Sequence, residues 1–221
     1  MDVAGKHIAL FPSEGPGAPL VVLNAVEEEA GPVWSTARAM AKEPFSLAVI
    51  TGLDWDEDLT PWPAPSAFRG GKSYGGRADA FLEALTGEIL PKVVAELPEA
   101  PRWLGLAGYS LAGLFALYAP YRTKAFARVA SASGSMWYPG FLDYVRERGF
   151  ARQPDRVFLS VGDREARTRN PMLRPVEENT RALAELYAGQ GIPTAFELNP
   201  GGHFQQPVER TARAIAWLLG E

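Results

Sequence analysis

The residues that could carry out chemistry begin with a serine, Ser110, which stands between small residues in the stretch Gly-Tyr-Ser-Leu-Ala-Gly at 108–113. One apolar run precedes this stretch and another follows it, an order that predicts a strand, a sharp turn and a helix. A serine raised on such a turn is a nucleophile elbow, whose strained backbone needs small residues two positions before and after it. Gly108 and Ala112 meet this need, although a glycine is more usual at the second position. The stretch alone leaves open a simpler interpretation, in which Ser110 only caps the helix.

A serine hydroxyl is a weak nucleophile until a base removes its proton, and histidine is the side chain that titrates near neutral pH without help. The chain has two histidines, His7 and His203. We expect His7 to begin a strand, far from the end of the sheet at which Ser110 would lie. His203 follows Asn-Pro-Gly-Gly and precedes an aromatic residue, which predicts a flexible loop with an apolar wall. The sequence therefore favours His203 as the base, over the alternative of a histidine on a surface loop.

A carboxylate is expected to hold the imidazole in the tautomer that the reaction needs. Two candidates, Asp163 and Glu165, follow a predicted strand that ends at Val161. The pattern Gly-x-x-acid starting at Gly162 favours Glu165, whose longer side chain can also reach across a turn. Asp163 stays open as the alternative, with a turn-capping or arginine-pairing role otherwise. The order along the chain is then serine, acid and histidine, which is the order of the α/β-hydrolase fold.

Hydrolysis through a serine also needs N–H donors for the oxyanion that forms. One donor is normally the amide of the residue after the nucleophile, here Leu111, and another comes from the loop after the third strand. The corresponding loop begins at Asn24, so Ala25 is the predicted second donor, with Val26 next. The helix that starts beside Ser110 would also point the positive end of its dipole at the developing charge.

A sheet must position these residues, since reactive groups in open α/β sheets collect on loops at the carboxyl ends of the strands. Apolar runs predict seven strands, and helical spacing predicts helices between them. The strands are expected at 7–11, 20–23, 45–50, 103–107, 128–133, 156–161 and 194–198, and the helices at 32–41, 77–97 with a bend at Pro91, 110–118, 141–148, 175–189 and 208–219. The alternation predicts one α/β domain over 1–221, with a mostly parallel sheet and helices on both faces.

Composition excludes several functional classes. The 221 residues include no cysteine and carry a net charge of −4, so disulfides, thiolate metal sites and a nucleic-acid-binding surface are not expected. No window approaches the ~18 apolar residues of a membrane span, and no signal peptide is recognisable at the N-terminus. We therefore expect a cytoplasmic protein with a small-molecule partner, no membrane or nucleic-acid partner, and no metal or organic cofactor. Homo-oligomerisation is left open.

An arginine-rich stretch lies around the predicted acid loop. Between Arg146 and Arg174 there are eight arginines against four acidic residues. Such a stretch either favours an anionic substrate or forms a solvated face, and the second interpretation is the more common one. On the first, replacing Arg167 would weaken the binding of an anionic ester but not of a neutral one.

Five motifs together resemble the esterase D-like family of the α/β hydrolases, which includes siderophore esterases of the enterochelin-esterase type and S-formylglutathione hydrolases. The motifs lie at 58–62, 108–118, 133–138, 161–165 and 199–204 and span most of the chain. The resemblance implies an α/β-hydrolase fold without a large cap domain, and a substrate held near Tyr109, Trp137 and Trp62. It also implies a Ser-His-acid or Ser-His hydrolase, since some members are described as working without the acid.

The expected function is the hydrolysis of a small carboxylic ester through an acyl-serine intermediate. Two enzymatic alternatives at the same site are thioester hydrolysis and acyl transfer. A third alternative, from another class, is a ligand-binding protein that keeps the hydrolase fold with little turnover.

Overall fold

In the computed structural model, which describes residues 1–13 and 15–220, eight strands form one sheet. The strands are β1 (Asp2–Val3), β2 (Lys6–Phe11), β3 (Leu20–Asn24), β4 (Ser46–Thr51), β5 (Leu104–Tyr109), β6 (Arg128–Ala132), β7 (Arg156–Gly162) and β8 (Thr194–Asn199). They lie in the order β1-β2-β4-β3-β5-β6-β7-β8. The six strands from β3 to β8 are parallel to one another, whereas β1 and β2 are antiparallel to their neighbours. The predicted α/β class with a mostly parallel sheet is confirmed.

Helices cover both faces of this sheet. They are α1 (Ala30–Met40), α2 (Trp55–Asp58), α3 (Ala78–Ala84), α4 (Leu90–Ala95), α5 (Leu111–Tyr118), α6 (Phe141–Glu147), α7 (Val176–Gly189) and α8 (Pro207–Leu218). The buried residues of α1 and α8 pack on one face, and those of α3 to α7 pack on the other. None of the described helices is long and apolar enough to cross a bilayer.

The central strand β3 illustrates why the chain forms this layered core. Its residues are buried throughout, with Leu20 and Val22 facing α3 to α7, and Val21 and Leu23 facing α1 and α8. A strand that is covered on both sides favours apolar residues at successive positions, because successive side chains point to opposite faces, and β3 is apolar up to the buried Asn24 at its carboxyl end. Each such side chain contributes about 1.5–3 kcal/mol through its burial.

The start of β2 corrects one step of the sequence analysis. Because β2 is antiparallel to β4, His7 pairs with Thr51 and lies at the carboxyl edge of the parallel strands, not at the opposite edge. His7 is still remote from β5, since β4 and β3 lie between the two strands. Its Nδ1 lies 2.5 Å from a carboxylate oxygen of the exposed Asp2. Lateral separation, and not the opposite end of the sheet, therefore keeps His7 away from Ser110.

The helix expected over 77–97 is interrupted as well as bent. A π-helical turn, Leu85–Ile89, joins α3 to α4, and Pro91 follows in the first turn of α4. Proline has no N–H to donate and its ring clashes with the carbonyl four residues earlier. The wider turn before Pro91 accommodates both effects, so the chain continues in a helical path.

Candidate active site

The turn at Ser110 has the backbone of a nucleophile elbow. Ser110 has φ 57° and ψ −123°, a conformation that costs free energy in residues other than glycine. The end of β6 and the loop after it hold the turn, because the Ser110 amide donates to the Ala132 carbonyl at 3.2 Å and the Ser110 carbonyl accepts from the Ser135 amide at 3.0 Å. A Cβ at Gly108 would lie 2.7 Å from the Cβ of Ala112 and closer still to the Ala112 backbone. Alanine at 112 is therefore compatible with the turn only because residue 108 is glycine.

The structure brings Ser110, His203 and Glu165 together in one hydrogen-bonded array. The Oγ of Ser110 lies 3.0 Å from Nε2 of His203, and Nδ1 of His203 lies 2.7 Å from a carboxylate oxygen of Glu165. The carboxyl side chain is 4 % exposed and the imidazole 26 % exposed. Solvent can thus reach the imidazole, while the carboxylate is buried behind it. The arrangement can transfer a proton from the serine hydroxyl to the imidazole.

The two candidate acids have different partners. Glu165 uses one oxygen for His203 and the other to accept a hydrogen bond from the Gly162 amide at 2.6 Å. Asp163 instead accepts a hydrogen bond from the Gly201 amide at 2.7 Å, and so helps to shape the loop that carries His203. The geometry favours Glu165 as the partner of the imidazole and gives Asp163 a role in the loop.

A buried arginine behind the array was not found by the sequence analysis. The side chain of Arg210, on α8, is 0 % exposed, and its Nη1 lies 3.3 Å from Glu165 and donates to the Oγ of Ser133 at 2.9 Å. Its Nη2 donates to the Pro200 carbonyl at 2.9 Å, which ties the His203 loop to the helix. Its charge compensates the buried carboxylate of Glu165. The available signal was the helical spacing that puts an arginine on the same face as buried Ala214 and Leu218.

Of the two predicted oxyanion donors, the amide of Leu111 has no acceptor among the described residues, whereas the amide of Ala25 already has one. The amide of Ala25 donates to the Ile50 carbonyl at 3.1 Å, because it continues the ladder between β3 and β4. Ala25 therefore cannot supply the second N–H, which corrects that prediction. Within residues 1–13 and 15–220, the amides of Leu111 and Val26 have no acceptor. The pairing of Asn24 with Gly108 brings the chain after β3 beside the turn, so Val26 is the better candidate.

A cleft of about 280 Å³ opens beside the serine. Its lining is mainly apolar and aromatic and comprises Asp56, Phe68, Tyr74, Ser110, Leu111, Trp137, Glu165, Leu173, Val176, His203 and Phe204. It contains no arginine, so the arginine-rich stretch gives this cleft no anion-binding side chain. A larger hollow, of about 520 Å³, lies at the opposite edge of the sheet beside Trp34 and Phe45 and has no histidine.

Of the three residues predicted at the substrate, Trp137 lines the cleft and the other two do not. The hydroxyl of Tyr109 donates to the carbonyl of His203, and its ring packs on the face of α1 and α8. Trp62 donates from Nε1 to the Pro139 carbonyl at 2.9 Å and packs against the ring of Tyr138. Tyr109 and Trp62 therefore support the walls of the site and do not line it, contrary to the prediction.

The fold and the position of the serine turn define an α/β hydrolase, and the described residues form no large cap domain. Residues 27–207 match the model of the family described as "Putative esterase", and the chain belongs to that family.

Known proteins of similar sequence and structure include both bacterial and fungal relatives. The "Uncharacterized protein YbbA" of Bacillus subtilis (strain 168) is 24 % identical over 184 residues, which cover 78 % of this chain and 74 % of YbbA. The siderophore hydrolase EstA from Aspergillus nidulans has a TM-score of 0.75 and 20 % identity, over 97 % of this chain and 89 % of EstA. The enterochelin esterase from Shigella flexneri has a TM-score of 0.74 and 23 % identity. The match covers 97 % of this chain but only 55 % of the Shigella chain.

Proposed function

We propose that this protein is a serine hydrolase that cleaves a small carboxylic ester through an acyl-serine intermediate. The observation that carries the proposal is the array in which the Ser110 hydroxyl, on a strained turn, lies 3.0 Å from an imidazole whose other nitrogen is 2.7 Å from Glu165. Each member has the neighbour that its role requires, since a serine needs a base and the base needs an orienting carboxylate. Membership of an esterase family supports the same class of reaction.

In the proposed mechanism, His203 accepts the proton of Ser110 while the serine oxygen attacks the ester carbonyl. The amides of Leu111 and Val26 stabilise the oxyanion of the tetrahedral intermediate. The protonated imidazole then donates its proton to the departing alcohol, which leaves an acyl-serine. His203 next removes a proton from a water molecule that attacks the acyl carbonyl, and the second tetrahedral intermediate collapses to release the acid and regenerate Ser110.

The openness of the site favours hydrolysis over transfer to a second organic acceptor. The imidazole of His203 is partly exposed, so water can reach the position from which it would attack the acyl-serine. An acyltransferase must instead hold its acceptor and exclude water from the same position. Among the described cleft residues, the polar side-chain groups outside the array are those of Asp56, Tyr74 and Trp137, a small set for holding a second organic acceptor.

The size of the cleft limits what binds near the reacting carbonyl. A volume of about 280 Å³ is slightly below the range of ~300–1,000 Å³ that accommodates a drug-sized ligand. We therefore propose that the cleft holds only the portion of the substrate next to the ester bond. The names of EstA, a siderophore hydrolase, and of the Shigella enterochelin esterase are consistent with such ester cleavage.

The test compares nitrophenyl esters of short acyl chains with the wild type, Ser110→Ala and a matched control, Ser135→Ala. Ser135 is a suitable control because its Oγ lies 3.4 Å from that of Ser110, yet its side chain makes no hydrogen bond with His203. We expect Ser110→Ala to lower kcat by at least about 10³-fold and to abolish covalent labelling by a fluorophosphonate probe, whereas Ser135→Ala keeps the labelling. Equal rates for wild type and Ser110→Ala, or a wild type that the probe does not label, would overturn the proposal.

A further inference from the structure

The charged groups of the cleft are two carboxylates, Asp56 and Glu165, and they are not equivalent. Glu165 is already compensated, because it lies against His203 and the buried Arg210. Asp56 has neither a cation nor a hydrogen-bond donor at its carboxylate within the part of the chain that the structure describes. The proposed mechanism also gives Asp56 no role. Its oxygens are not among the buried polar atoms, so the carboxylate faces the solvent of the cleft and is accessible to a cationic group of a ligand that occupies it.

The neighbours of Asp56 explain why none of the described side chains forms an ion pair with it. Lys72 lies 2.9 Å from Glu57 and 3.7 Å from Asp54, and Lys6 lies 2.5 Å from Asp58. The two nearby lysines are thus committed to the other three acids of this segment. Burial, together with the charges of Asp54 and Glu57, raises the pKa of Asp56 above the ordinary aspartate value, and the charge of Lys72 offsets this only in part.

Aromatic rings stand on the walls next to this carboxylate. Tyr74 and Trp137 both line the cleft, with their ring centroids 5.9 Å apart. Trp137 is half-buried, Tyr74 is buried with 4 % of its surface exposed, and Phe68 stands at the rim with 62 % exposed. Aromatic faces attract organic cations through the ring quadrupole, most strongly where water is partly excluded. A carboxylate combined with such rings is the chemistry that recognises an ammonium group. Neither feature favours an anionic substrate.

We propose that Asp56, Tyr74 and Trp137 form a subsite for a protonated amine or quaternary ammonium group carried by the ester substrate. This inference rests on the proposed function, because it assigns the substrate class of the same cleft. The small volume of the cleft requires that only a few bonds separate the ammonium group from the reacting carbonyl. The substrate class is therefore an ester with a short aminoacyl group or a short amino-alcohol.

The test uses two nitrophenyl esters of the same shape, one of trimethylammoniobutanoate and one of dimethylhexanoate, in which a quaternary carbon replaces the charged nitrogen. The measured quantity is the ratio of kcat/KM for the charged ester to that for the uncharged one. We expect the wild type to prefer the charged ester by about tenfold, as an ion pair and a cation–π contact together would give. Asp56→Asn is expected to bring the ratio close to one.

Asp54→Asn is the matched control, because it removes the same charge two residues away. Asp54 does not line the cleft, and it caps α2 by accepting a hydrogen bond from the Glu57 amide, which asparagine also does. The preference is expected to survive Asp54→Asn. If Asp56→Asn does not fold, inhibition of the wild type provides the second test, since tetramethylammonium should compete with the uncharged ester at lower concentration than tert-butanol does.

The possible outcomes separate the two proposals. If the wild type cleaves both esters with equal efficiency through Ser110, or prefers the uncharged one, the subsite is overturned and the hydrolase function stands. A preference that is unchanged in Asp56→Asn also overturns the subsite. If the wild type cleaves neither ester, nor any of the short acyl esters used above, the proposed function is overturned and the subsite with it.

Discussion

Replacing Arg210 with methionine tests whether the buried arginine holds the candidate active site together. Methionine is similar in length and apolar, so it fills much of the same space without making the hydrogen bonds to Glu165, Ser133 and Pro200. Removing one partner of a buried ion pair costs about 3–5 kcal/mol, because the remaining charge stays buried. In a chain of this length each kcal/mol lowers Tm by about 2–4 °C. The expected decrease is therefore roughly 6–20 °C.

The same helix provides a matched control in Arg213, which lies nearly one turn later. The Nε of Arg213 lies 3.3 Å from a carboxylate oxygen of Glu197, and the two side chains are 34 % and 39 % exposed. Arg213 also donates from Nη2 to Oδ1 of Asn199. An exposed ion pair contributes about 0–1 kcal/mol and a hydrogen bond about 0.5–1.5 kcal/mol, so Arg213→Met should lower Tm by roughly 1–10 °C, less than Arg210→Met does. Both variants are compared with the wild type by thermal unfolding that is followed by circular dichroism.

The activity of the same variants separates a local effect on the site from a general loss of stability. In Arg210→Met the loop that carries His203 loses its anchor at Pro200, and a displacement of about 1 Å lowers kcat by about 10²-fold even well below Tm. Arg210→Lys keeps the charge but loses the planar fork, so we expect intermediate values of Tm and kcat. A Tm within 3 °C of that of the wild type for Arg210→Met, or a kcat equal to that of Arg213→Met, would refute this reasoning.

Three further predictions concern the elbow, the acid and the oxyanion donors. Glu165→Gln should lower kcat by about 10³–10⁴-fold because the imidazole loses its orienting charge. Asp163→Asn should lower kcat by at most about tenfold because asparagine can still accept the hydrogen bond from the Gly201 amide. Equal losses of kcat in steady-state assays would contradict the assignment of the acid. Val26→Pro deletes one amide at a residue whose φ of −82° suits proline, and kcat should fall by about 10²–10³-fold with little change in KM; an unchanged kcat would exclude this donor. Gly108→Ala should give little folded, active protein because its Cβ would overlap the Ala112 backbone, and a normal yield with normal kcat would show that the turn tolerates the methyl group.

Short motifs predicted the positions of the candidate nucleophile, base and acid because each lies on a loop directly after a strand. Ser110, Glu165 and His203 follow β5, β7 and β8, and parallel strands bring such loops to one edge of a sheet. The spacing Gly-x-x-acid selected Glu165, and the hydrogen bond from the Gly162 amide to its carboxylate gives the physical reason. Local sequence was therefore sufficient to predict a site residue when the contact that positions its side chain joins residues close together in the chain, as Gly162 and Glu165 are.

Contacts between distant segments were not accessible in the same way. Whether Ala25 or Val26 donates to the oxyanion depends on whether the hydrogen bonding between β3 and β4 continues for one more residue. No local sequence pattern indicates where that hydrogen bonding ends. The direction of β2 depends on its pairing, so the edge at which His7 lies could not be predicted from its apolar run. Arg210 looks like an ordinary helix arginine until its partners on three other segments are known.

The arginine that compensates Glu165 lies on α8, the last helix of the chain. α8 begins at Pro207, after every strand of the sheet, and packs against α1, which comes near the beginning. During renaturation, the array of Ser110, His203 and Glu165 therefore gains the compensating charge of Arg210 only when α8 docks. Recovery of the proposed hydrolase activity after dilution from urea should then lag behind recovery of strand structure, and the delay would measure the rate of that docking step.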